Sequence, residues 1–190
     1  TMSSETDELL YQFATFQRER HFGKYRGIVR DVADPDKLGR IRALVPAVYG
    51  EQDSPWAMPS LPFAGAQHGL ALLPEVGDGV WIEFEGGDIN FPIWTGCWWA
   101  DGQRPAPDSE KARLLATSAG HQVLIDEDAD EMKLIHPGGA EITLNADGIT
   151  LSMGSCELKI SSSEINLNNG MVKVTTAGAS LVNDAFKVGG

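Results

Sequence analysis

The sequence predicts an all-β chain. An N-terminal helix leads into a small closed barrel, and a C-terminal prism of short strands follows, shared between three copies. Three observations carry this. First, from Ile142 to Val188 seven apolar pairs recur, each spaced i, i+2: Ile142/Leu144, Ile149/Leu151, Leu158/Ile160, Ile165/Leu167, Val172/Val174, Ala179/Leu181 and Phe186/Val188, with Met132/Leu134 as a forerunner. The step is seven residues from Leu158 onward. One step of nine puts two extra residues near Gly154-Ser155. Second, the spacers are turn formers, as in Asn145-Ala146-Asp147-Gly148 and Asn168-Asn169-Gly170. Third, residues 24–100 hold several strand patterns and no helical periodicity.

A seven-residue period also suits a coiled coil, but that needs apolar residues at i+3 or i+4. A partner at i+2 is strand alternation, with one dry face per strand. Seven strands give little more than two turns of a three-sided solenoid, short of the roughly three repeats a solenoid needs. Three chains together give seven layers on each face. At about 4.8 Å per layer that is a rod roughly 30–35 Å long. Its axis would be packed with Ile142, Leu144, Ile149, Leu151, Leu158, Ile160, Ile165, Leu167, Val172, Val174, Leu181, Phe186 and Val188. No dry face has a partner until the other copies arrive, so folding and trimerisation are coupled.

The remaining elements follow in order. Residues 1–23 contain an amphipathic helix, with Leu9, Leu10, Phe13 and Phe16 on one face and Glu5, Asp7 and Glu8 at its start. Residues 24–100 form the barrel. Tyr25–Val29, Gly39–Val45, Val80–Phe84 and Pro92–Trp94 read as strands, and Asp34-Pro35-Asp36 and Gly86-Gly87-Asp88 as turns. Residues 101–119, with Pro105 and Pro107, read as a linker, and 120–190 as the prism. The chain is acidic, with formal charge −12, yet residues 18–42 carry eight Lys/Arg against four acids. That segment reads as solvated strand faces or as a docking surface for an acidic partner. Cys97 and Cys156 fall in different predicted domains and read as buried thiols. No secretory signal or membrane-length apolar run is present, which points to assembly in a reducing cytoplasm.

Catalytic and metal-binding patterns are weak. Asp126, Asp128 and Asp130 sit at positions 1, 3 and 5 of a calcium loop, but Glu131 replaces the required Gly and Pro137 the bidentate Glu, so a solvated turn is expected. His136 shares the parity of Met132 and Leu134. Three copies near a threefold axis could hold a metal, although no flanking ligand supports one, and no cofactor is expected. Glu83 and Glu85 share a strand face, which is ordinary for an exposed edge and is no glycosidase pair. No Ser/His/Asp or Cys/His spacing marks a nucleophile, so no enzyme is expected. Trp81, Phe84, Phe91, Trp94, Trp98 and Trp99 lie among Glu83, Glu85, Asp88 and Asp101, which argues for packing over base stacking and against nucleic acid.

Four segments then resemble a known family. Gly39-Arg40-Ile41-Arg42 with Val45-Pro46, Trp56 after Ser54-Pro55, Leu73-Pro74-Glu75-Val76-Gly77-Asp78-Gly79-Val80, and Gly87-Asp88 through Phe91-Pro92-Ile93 to Gly96 are similar, in that order, to the OB domain of contractile-tail spikes. Gly120-His121, an acidic turn and short strand repeats resemble the start of their β-helix. The family is the baseplate assembly protein V and VgrG-like central spike of phage tails and related injection machines. The resemblance implies an OB-fold barrel followed by an intertwined trimeric β-helix, in a homotrimer on a trimeric baseplate hub. It implies a particle assembled in the bacterial cytoplasm and transient contact with the target envelope. Leu9, Phe13, Phe16, Arg26, Arg40 and Arg42 become candidates for docking the hub. The chain stops at Val188-Gly189-Gly190 without a His-x-His pattern, so a blunt end closed by a separate PAAR-type cap is expected. Two other classes are open: an OB module that grips saccharide or single-stranded nucleic acid on a trimerising stalk, and a carbohydrate-active β-helical enzyme.

Overall fold

In the computed structural model, which describes residues 2–107, 109–182 and 185–188, the chain opens with helix α1, Met2–Glu19. Glu5 in its first turn and Arg18 in its last oppose the helix dipole. Gln12 Nε2 donates to Glu8 Oε1 at 3.1 Å. The helix hands over at Arg20, whose N–H donates to Phe16 O. His21 N–H then bonds Gly87 O at 2.9 Å and ties the chain to the barrel.

Seven strands follow in the N-terminal unit: β1 Tyr25–Asp31, β2 Arg42–Leu44, β3 Met58–Pro59, β4 Ala64–Gly65, β5 His68–Gly69, β6 Gly79–Phe84 and β7 Pro92–Trp98. Five of them run in the order β2-β1-β6-β7-β3, and β4-β5 form a separate hairpin. Isolated bridges Ile41↔Ala57 and Leu44↔Asp53 join the two ends of the five-stranded sheet and close a barrel. Alternation fixes the core: Val29, Ile41, Ala43, Val45, Ala57, Val80, Ile82, Phe84 and Trp94 point inward and are buried. Gly27 lets β1 approach this core, because a Cβ there would stand 3.2 Å from Val45 Cγ2 and 3.3 Å from Ile82 Cγ1. Helix α2, Pro46–Tyr49, is a single turn started by Pro at its first position, too short to show periodicity in a segment read as wholly β. Tyr49 from α2 donates its hydroxyl to Ile89 O, and burial pushes its pKa up to about 12.

The β1–β2 connection is stapled by one carboxylate. Asp34 accepts from Leu38 N–H at 2.7 Å, from Arg40 N–H at 3.2 Å and from Arg40 Nη2 at 2.6 Å. Its side chain is 4 % exposed. The Arg40 guanidinium, with the surrounding N–H donors, holds this carboxyl well below the usual carboxylate range.

The C-terminal unit begins after Gln103. It is one antiparallel meander of β8 Ala112–Ala116, β9 Gln122–Asp126, β10 Glu131–Ile135, β11 Ala140–Asn145, β12 Gly148–Met153, β13 Cys156–Ile160, β14 Glu164–Leu167, β15 Val172–Thr175, β16 Gly178–Leu181 and β17 Phe186–Val188. Each strand pairs only with its sequence neighbours, so the chain does not wind round a core of its own. Strand β8 lies inside the segment expected to be linker. Its adjacent Leu114 and Leu115 show no i, i+2 pair, and pairing with Leu124 and Val123 of β9 recruits it. The sheet therefore has ten layers where the sequence showed seven. The two extra residues of the nine-residue step form a hairpin overhang, in which Met153 pairs with Cys156 and Gly154-Ser155 make the tip. The corners share a device. Side-chain oxygens of Asn145, Ser161 and Thr175 each accept the backbone N–H two residues on, at 3.0, 3.3 and 3.2 Å.

Candidate assembly interface

Register turns the apolar pairs into two columns. One runs Leu115, Val123, Leu134, Ile142, Leu151, Leu158, Leu167, Val172, Leu181, Phe186 across β8 to β17. The other runs Ile125, Met132, Leu144, Ile149, Ile160, Ile165, Val174, Ala179, Val188 across β9 to β17. Every candidate core position named from the sequence lies in one of these columns. Leu115, Val123 and Ile125 extend them beyond the repeat. Their signal was present, since Val123 and Ile125 are an i, i+2 pair, but it fell outside the seven-residue spacing.

The columns are open to solvent in the single chain. Leu151 is 38 % exposed, Ile165 45 % and Phe186 59 %, while Ile142, Leu158 and Val172 are half-buried. An apolar stripe this long is uncommon on the surface of a lone soluble protein and marks a contact with other chains. The opposite face is apolar at Leu114 and the buried Leu124 on β8 and β9 and mainly polar from β10 onward. Lys133, Lys159 and Lys173 stand along its middle. Lys133 pairs with Glu131 at 2.7 Å, Lys173 with Glu164 at 2.6 Å, and Lys159 reaches Asp147 at 4.0 Å. The first two pairs lie within this face and the third reaches a corner, and ion pairs so placed keep a surface soluble more than they stabilise it.

The docking candidates behave differently from one another. Leu9 and Phe13 are 65 % and 62 % exposed and do not bury against the barrel. Phe16 is also exposed, with its ring 6.1 Å from that of Phe22. Arg40 is spent inside the molecule on Asp34 and Asp36 and lies over Trp56, which removes it as a free cation for an acidic partner. Arg42 is exposed and stacks on Trp56, its guanidinium carbon 4.9 Å from the ring centroid. Arg26 is exposed between Trp81 and Trp98, at 5.5 and 5.1 Å. Arg26 thus already occupies one face of each of the Trp81 and Trp98 indoles. Phe84 and Trp94 belong to the core, whereas Phe91 and Trp99 are exposed.

The other groups singled out in the sequence resolve as follows. Asp126 Oδ1 accepts from Asp128 N–H at 2.9 Å and from Ala129 N–H at 3.1 Å, so the acidic run is a capped hairpin turn. Glu83 lies 3.3 Å from Lys24, and Glu85 leaves the strand for a turn, so the two do not share a strand face. His136 and His121 sit edge to face with centroids 4.9 Å apart. Gly138 N–H donates to His136 Nδ1 at 2.9 Å, which leaves the proton of the neutral ring on Nε2. That nitrogen is then a donor, which disfavours a metal held by three copies of His136. Cys97 and Cys156 are exposed free thiols and not the buried ones expected. Partial desolvation of its sulfur by the neighbouring strand, then the nearby Asp78, pushes the Cys97 thiol up. Gly189 and Gly190, on which the blunt-end expectation rests in part, lie outside the described residues.

Comparison with known families agrees with this division of the chain. Residues 25–99 match the OB domain of the type VI secretion system/phage-baseplate injector. Residues 112–174 match the phage baseplate V C-terminal trimerisation domain. A search of curated proteins returns no match. The first match coincides with the closed barrel, and the second begins at the first residue of β8 and runs into β15 of the sheet whose apolar columns lie open. The two baseplate models together span most of the chain, which belongs to the baseplate V family of phage-tail and injection-system proteins and is a structural baseplate component that assembles as a homotrimer.

Proposed function

We propose that the trimer is the central spike of the baseplate, carried on a trimeric hub and driven through the target envelope when the sheath contracts. The observation that carries this is the taper of the open-faced sheet. Its strands shorten from six residues in β11 and β12 to five in β13 and four in β14, β15 and β16. Three such sheets facing a common axis make a β-helical prism that narrows toward its C-terminal end. Ten layers at about 4.8 Å give a length of roughly 45 Å. Lateral strand pairing stacks along that axis, so a compressive load falls on backbone hydrogen bonds and a dry core. The narrow end suits a PAAR-type cap. Assembly takes place in the bacterial cytoplasm, and the work of penetration comes from the sheath.

Hub attachment falls to the barrel unit and α1, through exposed Arg26 and Arg42 and the outward positions of the helix. The direct test uses contracting particles and dye-loaded vesicles of target envelope. A fluorophore at the exposed position 187 of β17 should become shielded from a membrane-impermeant quencher after contraction. A label that stays fully quenchable while the sheath contracts would overturn penetration. Hub attachment is tested by co-purification, which should be lost on deleting residues 1–22 or on the paired change Arg26→Glu and Arg42→Glu. Unchanged co-purification by both variants would refute it.

A further inference from the structure

The exposed face of α1 has a register of its own. Leu9, Phe13 and Phe16 step by four and then three residues, which is the d, a, d seam of a heptad, with Thr6 at the preceding a position. The helix charges respect that register. Asp7, Glu8 and Arg18 fall at the outward b, c and f positions. In parallel copies Glu5, at g, would face the next heptad's Leu10, at e, and Gln12 would face Gln17, so no like charges meet. The seam also ends where the geometry requires. Arg20, the next a position, is drawn to the barrel, with Nη1 3.6 Å from Asp88 and within hydrogen-bonding distance of Gly86 O, and its guanidinium lies 6.0 Å from the Phe16 ring centroid. Leu9 and Phe13 meanwhile find no partner in the barrel.

We propose that α1 of the three copies zips into a parallel three-stranded coiled coil, a second threefold contact separate from the β-sheet columns. This rests on the homotrimer and goes beyond the hub reading, because it assigns Leu9, Phe13 and Phe16 to one another and leaves the outward positions of the helix for the hub. Two heptads are too short to associate alone. Tethered to a trimerising sheet in the same chain, however, the helices meet at an effective concentration in the millimolar range. Leu10 at the e position widens the apolar stripe beyond a two-stranded seam, which favours three helices over two.

The test is disulfide capture in the purified full-length protein without hub. Cys97 and Cys156 are first changed to Ser, since both are exposed and would compete. Leu9→Cys then faces the axis, and Ala14→Cys, at b, faces outward. Under mild oxidation Leu9→Cys should form interchain dimers at least tenfold faster than Ala14→Cys. It should level off near two-thirds dimer, because one bond joins two of three chains and leaves the third thiol unpaired. Sedimentation of the same samples separates the two readings. Trimers in which both cysteines react equally, or neither reacts, overturn the coiled coil and leave the sheet interface standing. Monomers overturn the homotrimer and the coiled coil together.

Discussion

Replacing Leu151 with Ala, and its neighbour Thr150 with Ala as the control, separates the two faces of one strand. Leu151 registers with Ile142 and Leu158 on the open face, whereas Thr150 registers with Thr143 and Lys159 on the polar face. In the single chain Leu151 is 38 % exposed, so its own sheet covers part of it and the other copies must cover the rest. Truncating a buried leucine costs 2–5 kcal/mol, and about 2–3 kcal/mol is expected here, because the site is already partly enclosed by flexible neighbours that can close in. The substitution appears three times around one axis, which gives about 6–9 kcal/mol per trimer, and more where the three truncations merge into a single void. For a cooperative unit of roughly 260 residues, three C-terminal units together, this lowers Tm by about 11–16 °C. Thr150→Ala, an exposed polar change, should stay within about 0.5 kcal/mol per copy. Thermal melts followed by strand circular dichroism, with trimer mass checked by sedimentation, read both variants. Equal small shifts, or a larger loss from Thr150→Ala, would refute the assignment of the apolar columns to the trimer axis.

Two further perturbations test local features. Gly148, at a corner with φ +133°, has its Cβ position blocked by Ile160 O, so Gly148→Ala should cost at least about 3 kcal/mol per copy and shift the β11–β13 register, read as loss of trimer. Gly154→Ala, at φ +60° in open space, should cost only about 1–2 kcal/mol. Asp34 is depressed in the folded barrel, so its stabilisation is complete above the carboxylate pKa of the unfolded chain, about 4. It should be lost as pH falls below that value, with no change between pH 5 and 8. Asp34→Asn should lower the barrel melting temperature at neutral pH and flatten its acid limb, read by tryptophan fluorescence from pH 7 to 2.

The sheet was legible because its chemistry repeats. Two-residue alternation, a fixed step and Asn, Ser or Thr at the corners each state the same structure, and pairing converts them into columns without help from the rest of the chain. Leu115, Val123 and Ile125 were missed because the acidic turn and the longer Ile135–Ala140 corner break the period while leaving the register intact. Barrel strands were visible where they alternate, but α2 was not, since one turn begun by Pro46 has no periodicity to detect. The docking candidates were the least legible. Arg26, Arg40 and Arg42 are the same residue type within one basic segment, and only tertiary placement shows Arg40 held by Asp34 and Asp36 while the other two stack on indole rings with their surfaces exposed.

The two units differ in what they need in order to fold, and that difference sets an order of assembly. The barrel closes on a core of its own, with Val29, Ile41, Val45, Val80 and Ile82 at or near zero exposure. The meander's two long apolar columns have nothing of their own to put against them, so its folded state gains most of its apolar burial when three chains meet. The barrel should therefore fold at a rate independent of protein concentration, and the sheet in a slower, concentration-dependent step. The chain carries its own reporters. Trp56, Trp81, Trp94, Trp98 and Trp99, its five tryptophans, all lie in the N-terminal unit, whereas strands occur in both. On refolding from guanidinium over a thirtyfold range of concentration, tryptophan fluorescence should recover in a phase of fixed rate. Strand circular dichroism should show that phase and a second one that accelerates with concentration. If both signals recover together with the same concentration dependence, the barrel has no independent stability and folds only within the trimer. If both recover at a fixed rate, the meander folds within one chain, and the open apolar columns lose their meaning as a trimer interface.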